Sequence, residues 1–224
     1  MRNLIIFFTV VLFSVNGIAQ SYKIGVFAEP TVGWFKPQSR KVQTEASALG
    51  FGAGVVFDYY FADNYAFSSG LGLSMQGGDL HYEDSIMVHV YDETVQSPSD
   101  FVFKYRLNYF NIPLGLKLKT NQIGYFTYFF DLGFDLQVNL SAKGISDKKF
   151  YFSDETRHLD NDDITKDINF MNISYHFGGG LEYEISENTA FFAGLIYRNG
   201  FTDITAQKYT INSRVIALRL GIMF

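Results

Sequence analysis

Ser174 and His176, in the stretch "SYH", come closest to a catalytic pattern by residue type. Glu182 and Glu184 share their parity further along the chain. Nucleophilic catalysis needs a nucleophile, a base and an orienting acid within mutual reach. On a β-strand, successive residues of one face lie about 6.6–7 Å apart, which is long for a bond between serine and histidine. We therefore predict no catalytic residues and a protein that is not an enzyme.

Carboxylates are concentrated in two stretches that could bind divalent cations. One is "DETRHLDNDD", Asp154 to Asp163, and the other, Glu83 to Asp100, holds five acids and no Lys or Arg. Neither has the spacing of a calcium-binding loop. The chain has no Cys, which excludes disulfides and thiolate metal sites. We predict solvated acidic loops without a metal or cofactor site. Bridging of divalent cations to lipopolysaccharide phosphates stays open as the alternative.

The first residues have the pattern of a secretory signal peptide. Arg2 precedes the apolar run "LIIFFTVVLF", and Gly17 and Ala19 supply the small residues of a cleavage site. The apolar run is shorter than the roughly 20 residues that a transmembrane helix needs. We predict a signal peptide over 1–19 and one domain over 20–224.

The chain after the predicted signal peptide is acidic and rich in aromatic residues. Loss of Arg2 moves the formal charge from −5 to −6, so nucleic acid is not an expected partner. Aromatic residues make up 18% of the chain and charged residues also 18%. The charged fraction is below the roughly 25% usual in soluble domains. This composition is typical of strands that present much aromatic surface.

Eight segments alternate with a period of two, which is typical of β-strands with two different faces. They are Tyr22–Phe35, Leu49–Tyr60, Tyr65–Tyr82, Phe101–Lys119, Tyr125–Ser141, Phe170–Ile185, Thr189–Arg198 and Ser213–Phe224. Short joints at 62–64, 121–124 and 186–188 alternate with longer joints at 36–48, 83–100, 142–169 and 199–212. Alternating short turns and long loops are typical of outer-membrane barrels. We predict an all-β fold, an eight-stranded antiparallel up-and-down transmembrane β-barrel with both termini periplasmic.

The two faces of these segments differ in the size of their side chains. In Tyr125–Ser141, one parity carries eight large residues and the other carries mostly Thr, Asp, Gly, Gln and Asn. An eight-stranded barrel is just wide enough inside for side chains to fill it. The large rows are therefore expected to face lipid. A soluble, lipocalin-like barrel is the alternative.

Aromatic residues are expected to form a girdle at each edge of the membrane. The predicted short-turn girdle contains Tyr59, Tyr60, Tyr65, Tyr125, Tyr128, Tyr183 and Phe224. The predicted long-loop girdle contains Trp34, Tyr82, Tyr105 and Tyr197.

The same facing assigns charges of both signs to the lumen. These are Lys23, Glu29, Asp58, Lys117, Lys119, Asp131, Asp135, His176, Glu182, Glu184 and Arg219, joined by Arg198 if its segment faces that way. Unpaired buried charges are costly, whereas paired ones are tolerated. We predict a polar plug that holds the barrel closed, with a narrow proton or ion path as the alternative.

The clearest strand, "YFNIPLGLKLKT", carries Pro113 at its centre, where a proline cannot donate a ladder hydrogen bond. Large residues have odd numbers from Phe101 to Leu107 and even numbers from Phe110 onward. One inserted residue would produce such a change. We predict a β-bulge at Tyr109–Phe110 that disturbs the ladder together with Pro113.

This stretch and the terminal "LRLGIMF" resemble the PorT-like outer-membrane β-barrel family of Bacteroidetes-type Gram-negative bacteria. In that family an aromatic residue precedes an Ile-Pro-Leu strand with a following lysine, and Tyr109, Ile112, Pro113, Leu114 and Lys117 occupy those positions. The resemblance implies the fold predicted above and no catalytic residues. The family's namesake serves a protein-secretion apparatus, so envelope or secretion-system proteins are expected partners beside outer-membrane lipid and lipopolysaccharide.

The residue patterns and this resemblance together predict a non-enzymatic outer-membrane barrel. Its long loops would lie outside the cell, in a structural or adhesive role or as an accessory of an envelope assembly. A PorT-like secretion accessory and a deacylase-like barrel that modifies lipid A are the alternatives.

Overall fold

The computed structural model describes residues 22–186 and 188–224, so the predicted signal peptide over 1–19 lies outside the described residues. Within these ranges the strands are β1 (Tyr22–Pro37), β2 (Val42–Ala62), β3 (Tyr65–Tyr82), β4 (Met87–Val90), β5 (Glu93–Gln96), β6 (Phe101–Lys119), β7 (Phe126–Ser146), β8 (Phe150–Tyr151), β9 (Thr156–Arg157), β10 (Asp160–Asp163), β11 (Met171–Ser186), β12 (Thr189–Gly200) and β13 (Ile211–Met223). A single 3-10 turn spans Thr165–Asp167. In this part of the chain no helix is long and apolar enough to cross a membrane.

Eight strands close into one antiparallel ring. Around the ring their order is β1, β2, β3, β6, β7, β11, β12 and β13, and β13 pairs back with β1. Each of the eight segments predicted from the alternation of residue types supplies one of these strands. The chain is therefore an eight-stranded up-and-down barrel, as predicted.

The strands run further toward the long-loop end than their alternation indicates. Strand β2 begins at Val42, so the predicted joint at 36–48 shrinks to a turn at 38–41. Strand β7 continues to Ser146, inside the joint predicted at 142–169. Both extensions stay in the ladder, with Gln43 opposite His81 and Lys104 opposite Ile145. The predicted bounds were wrong here because these extensions pair above the apolar belt, where the outer face is no longer hydrophobic.

A continuous band of large apolar side chains covers the outside of the ring, and we call it the belt. Its exposed members include Ile24, Val26, Phe51, Phe57, Phe67, Leu71, Leu73, Leu114, Leu116, Phe130, Leu132, Phe134, Phe177, Leu195, Ile216, Leu218 and Ile222. Exposed apolar surface of this extent is favourable only against lipid or another apolar partner. The predicted outward facing of the large rows is confirmed.

The girdles are confirmed at one edge and partly wrong at the other. At the short-turn end, Tyr59, Tyr65, Tyr125, Tyr128, Tyr183 and Phe224 are exposed. Tyr60 instead faces inward, where its hydroxyl accepts a hydrogen bond from Lys119. At the long-loop end Trp34 and Tyr197 are partly exposed. Tyr82 and Tyr105 are fully buried inside the ring, with their hydroxyls hydrogen-bonded to each other at 2.7 Å.

Above the belt the interior of the ring changes from polar to aromatic. Phe101, Phe103, Tyr105, Leu107 and Tyr109 all point inward and are at most 1% exposed. They belong to one core with buried residues of the long loops, namely Ile86, Val88, Val90, Val95, Phe150, Leu159, Ile164, Ile168, Ile204 and Tyr209. We call the loop residues 83–100, 147–170 and 201–210 the cap. We expected that rows of large side chains would not fit inside an eight-stranded ring. Above the belt this is wrong, because the large inward side chains of β6 pack against the cap, which covers them.

Strand β6 keeps one facing throughout, contrary to the predicted change at Tyr109–Phe110. Its odd-numbered residues point inward from Phe101 to Lys117, so what changes along the strand is the chemistry of the interior. A bulge does occur at this level, but on the partner strand. Asn108 pairs with Ser141 and Tyr109 with Asn139, which leaves Leu140 of β7 as the extra residue. Strand β7 therefore changes parity, with Asn139 and Ala142 both buried.

Pro113 interrupts the ladder on one side of β6, as predicted, but it does so in the ladder with β3, whereas the bulge lies in the ladder with β7. Pairing with β3 stops at Ser69–Leu114 and resumes at Gly72–Asn111. On the other side Pro113 stays in register with Asp135 of β7. A closed barrel thus accommodates the proline by omitting two rungs of one ladder, since the missing N–H cannot make them.

Candidate functional site

A first cluster of charges braces the lower lumen. The ammonium nitrogen of Lys117 lies 2.7 Å from Asp58 Oδ2 and 2.8 Å from Glu182 Oε1. Lys119 contacts the other oxygen of Glu182, and the Ser68 hydroxyl donates to Asp58 at 2.7 Å. These residues come from β2, β3, β6 and β11, so the cluster joins strands across the ring.

A second cluster fills the lumen beside the first. Arg198 and Arg219 each approach the carboxylate of Glu29 to 2.9 Å. Arg198 Nε also lies 3.4 Å from Asp135, and His176 Nδ1 lies 3.1 Å from the same carboxylate oxygen. His176 Nε2 faces Asp131 at 3.6 Å. The predicted pairing of the lumen charges is confirmed, and Arg198 belongs among them.

Little space remains between the charged side chains. One cavity of about 10 Å³ lies beside Glu29, Arg198 and Arg219, and another of about 20 Å³ lies beside Lys117 and Asp131. A space of this size holds about one water molecule. The aromatic core lies directly above. The geometry is therefore that of the predicted plug. Lys23 and Glu184, the remaining predicted lumen residues, are half-buried.

Ser174 and His176 do face the same side of β11, but they do not form a nucleophile–base pair. Both contact Asp135, Ser174 Oγ at 3.4 Å and His176 Nδ1 at 3.1 Å. All three are buried in the lumen, on the opposite side of the sheet from the belt. They are part of the second charge cluster, and a lipid outside the ring could not reach them.

An open cleft of about 520 Å³ lies at the tip of the cap. We call it the tip cleft, and its walls are Val90, Tyr91, Asp92, Glu93, Phe152, Asp154, Glu155 and Arg157. The small four-stranded sheet of β4, β5, β8 and β9 positions these residues. Four carboxylates and one guanidinium make the cleft strongly acidic.

Arg157 holds one wall of the tip cleft in place. Its guanidinium lies over the Phe152 ring at 4.3 Å and makes two hydrogen bonds with Asp162, at 2.8 and 3.1 Å. Burial alone would raise the pKa of Asp162, but the bonds from Arg157 and from the Asp160 backbone N–H hold it below its usual value. A paired guanidinium of this kind is fixed in orientation.

Backbone strain is also found at this cleft. Tyr91 has a φ of 54°, in the left-handed region that residues other than glycine seldom adopt. Its N–H donates to the Asp163 carbonyl at 2.9 Å, and its side chain is exposed. Strain of this kind persists where the surroundings impose it, which is frequent at binding surfaces. Within residues 22–186 and 188–224, no group of three or more potential ligands is placed to hold a metal ion.

The family of the chain follows from a comparison with known domains. Residues 18–206 match the family model described as "Outer membrane protein beta-barrel domain". The chain belongs to this family. This outer-membrane β-barrel therefore has its belt in the outer membrane. The finer resemblance to PorT-like barrels stays a prediction, and no curated protein sequence matches the chain.

Several solved outer-membrane barrels resemble the structure at low sequence identity. Neisserial surface protein A is 11% identical, with 90% of this chain and 95% of that chain covered and a TM-score of 0.46. Ail, the attachment invasion locus protein of Yersinia pestis, is 13% identical, with coverages of 92% and 100% and a TM-score of 0.43. OprG from Pseudomonas aeruginosa is 12% identical, with coverages of 91% and 94% and a TM-score of 0.42. Likeness at this level says nothing about activity or ligands.

The sequence pattern identified the lumen residues but missed the tip cleft. Asp154 to Asp163 and Glu83 to Asp100 stood out only as acidic stretches. The strands that bring them together are two to four residues long, too short to show a period. The one available signal was the pair Tyr91 and Phe152, two aromatic residues within acidic loops.

Proposed function

We propose that this outer-membrane barrel is not an enzyme and works through its cap, which it presents outside the cell as a binding surface. The observation that carries the proposal is the filled interior. Charge clusters occupy the lumen at belt level and an aromatic core closes it above, so the ring offers no path for a solute. The part of the molecule with open, structured surface is the cap.

The proposed orientation sets the cap outside and both termini in the periplasm. The three short turns lie at the same end of the ring as Phe224, whose N–H and carbonyl pair with Ile24 of β1. Barrels of this kind have short periplasmic turns and longer extracellular loops. Protease added to intact cells should cut within 147–170 and spare residues near Ile24.

The tip cleft favours a cationic polypeptide as its ligand, in an adhesive or accessory role. Asp92 and Glu155 have cationic partners of their own, Lys166 at 2.7 Å and Arg157 at 3.3 Å. Asp154 has no such ion pair among the described residues, and the aromatic side chains of Tyr91 and Phe152 can cover the stem of a lysine or arginine.

The test is binding of a lysine-rich peptide to the full-length protein in detergent, measured by calorimetry at two salt concentrations. The variant D92N/D154N should bind more weakly and with a smaller salt dependence. The matched control D63N/D147N removes the same charge from outside the cleft and should bind as the wild type does. Equal binding by all three proteins would refute the proposed role of the tip cleft.

A role as a PorT-like secretion accessory is the second candidate. It rests on the resemblance of the motif residues to PorT-like barrels, and Lys117 of that motif braces the lumen through its ion pairs with Asp58 and Glu182. The protein should then co-purify with envelope proteins in mild detergent, and secretion should fail when the gene is deleted. A lone barrel with normal secretion would exclude it. For the deacylase alternative, unchanged lipid A mass spectra on deletion are the expected result.

A further inference from the structure

An apolar groove opens on the outer face of the ring at the long-loop edge of the belt. Its volume is about 280 Å³, and Phe51, Ala53, Leu73, Met75 and Leu140 form most of its wall. We call it the lipid groove. Leu140 is the bulge residue of β7, and a second register shift on β2, between Ser47 and Phe51, lies on its other side. The groove thus lies where two strands depart from regular pairing.

Cations lie on the outer face directly beyond this groove. Along β6 the outward row continues from Phe110 through Asn108 to Arg106 and Lys104. Asn108, at the upper wall of the groove, hydrogen-bonds to Ser141 of β7 at 2.9 Å. The next outward positions, Arg106 and Lys143, are in register on neighbouring strands. Successive residues of one face are about 6.6–7 Å apart, so the cations stand one step above the groove.

Two of these three cations share one carboxylate. Arg106 Nη1 is 3.2 Å from Asp79 Oδ1, and Lys104 Nζ is 3.8 Å from the same carboxylate. Lys143 is in register with Asp163 of β10, whose Oδ1 accepts the Thr165 N–H at 2.8 Å. No ion pair joins Lys143 to a carboxylate within the described ranges.

Arg106 and Lys143 thus face each other across the ladder, and of these two only Arg106 has an ion pair among the described residues. Like charges directly opposite one another on a sheet are unfavourable. An anion between Arg106 and Lys143 would relieve that repulsion.

We propose that the lipid groove and these cations bind a phosphorylated saccharolipid of the outer leaflet. One acyl chain lies in the groove, and a phosphate on the sugar is held between Arg106 and Lys143. Arginine and lysine suit this task, because both donate charge-assisted hydrogen bonds to phosphate oxygens. The site has the two parts that such a lipid requires, in the order that its headgroup and acyl chains have in a membrane.

Cations elsewhere along the long-loop edge of the belt support this placement of the phosphate. Other outward cations beyond the long-loop edge are Lys36 and Arg214, on either side of Trp34. The opposite edge is bordered by the tyrosines of the short-turn girdle. Phosphate groups of the outer leaflet would meet cations at one edge only. The lipid groove differs from the rest of that edge in having a concave apolar surface directly below the cations.

The test measures lipid binding to the full-length protein in nanodiscs of zwitterionic phospholipid. Bis-phosphorylated lipid A is added, and bound lipid is counted by native mass spectrometry. Loss of a charge-assisted contact to phosphate corresponds to about tenfold weaker binding. The variant R106Q/K143Q should show at least that loss, and dephosphorylated lipid A should bind the wild type equally weakly. Ala53→Phe, which fills the groove and keeps the cations, should also reduce binding.

The matched control is K166Q/K208Q, which removes two exposed cations from the cap and should bind lipid A as the wild type does. Heat-modifiable gel mobility shows that each variant is folded. The proposal is overturned if R106Q/K143Q binds like the wild type, or if dephosphorylated lipid binds as well as the phosphorylated form. It is equally overturned if the groove retains only phospholipid, or if inorganic pyrophosphate alone displaces the lipid completely.

Discussion

Lys117 and Asp58 form an ion pair 2.7 Å long inside the membrane-spanning part of the ring, where both side chains are almost completely buried. They lie on β6 and β2, and Glu182 of β11 approaches the same ammonium group. One cation therefore joins three strands that are not neighbours in the ring. The cluster acts as a brace across the lumen.

Replacement of Lys117 by Met should destabilise the barrel strongly. Methionine fills a similar volume, but Asp58 would then be a buried carboxylate without a cation. Removal of one partner of a buried pair costs about 3–5 kcal/mol. Urea unfolding in detergent, followed by fluorescence of Trp34, the single tryptophan, should show this decrease in the free energy of unfolding.

Two further variants separate the pair from the charge alone. Asp58→Asn in the K117M background should recover part of the stability, since the orphaned charge is gone. Lys208→Met removes an exposed lysine 3.9 Å from Asp84 and should cost less than about 1 kcal/mol. If K117M and K208M unfold at the same urea concentration, the ion pairs of Lys117 do not contribute to the free energy of unfolding.

The facing of the lumen residues could be predicted because alternation on a strand leaves only two choices. For Asp58, Asp131 and Glu182 the residue type then decides between lipid and lumen. The same rule failed for Tyr82 and Tyr105. Their burial depends on the cap, which is built from loops far apart in the chain, and no local period reports on such packing.

Truncation of Phe103 should loosen the cap while leaving the belt intact. Phe103 is completely buried and contacts the rings of Tyr105 and Phe150, at centroid distances of 4.6 and 5.9 Å. A Phe→Ala change in a core costs about 3–5 kcal/mol. Hydrogen exchange should rise in 83–100 and 147–170 of F103A.

Strands at belt level should keep their protection in F103A. Tyr151→Ala, at an exposed position of the four-stranded sheet in the cap, is the control and should leave the exchange pattern unchanged. Uniform loss of protection through the whole ring would show instead that the cap and the barrel unfold as one unit.

The pair Arg157–Asp162 should make the tip cleft sensitive to acid. The pKa of Asp162 is lower in the folded protein than its usual value of 3.8. The stabilisation is therefore complete above pH of about 4 and is lost as pH falls through the folded pKa. Exchange of 150–163, corrected for its intrinsic pH dependence, should rise below that pH.

The variant R157Q separates the effect of this pair from the titration of other acids in the cap. Glu155 also faces Arg157. In R157Q the region should be more open at neutral pH and should change less on acidification. D154N, which lies in the same cleft without an ion pair in the described residues, should follow the wild type. A wild-type acid response that R157Q retains in full would assign the response to other groups.

Deletion of Leu140 should leave the cap protected, because Leu140 is the extra residue of the bulge. It lies between Asn139 and Ser141, which already pair with neighbouring residues of β6. Without Leu140 the alternation of β7 becomes regular, and Ala142 still points inward. Leu140→Ala keeps the bulge and removes an exposed side chain, so hydrogen exchange in 147–170 should stay low in both variants. If the deletion variant loses protection in 147–170 while L140A keeps it, the bend that the bulge gives β7 is needed to place the cap.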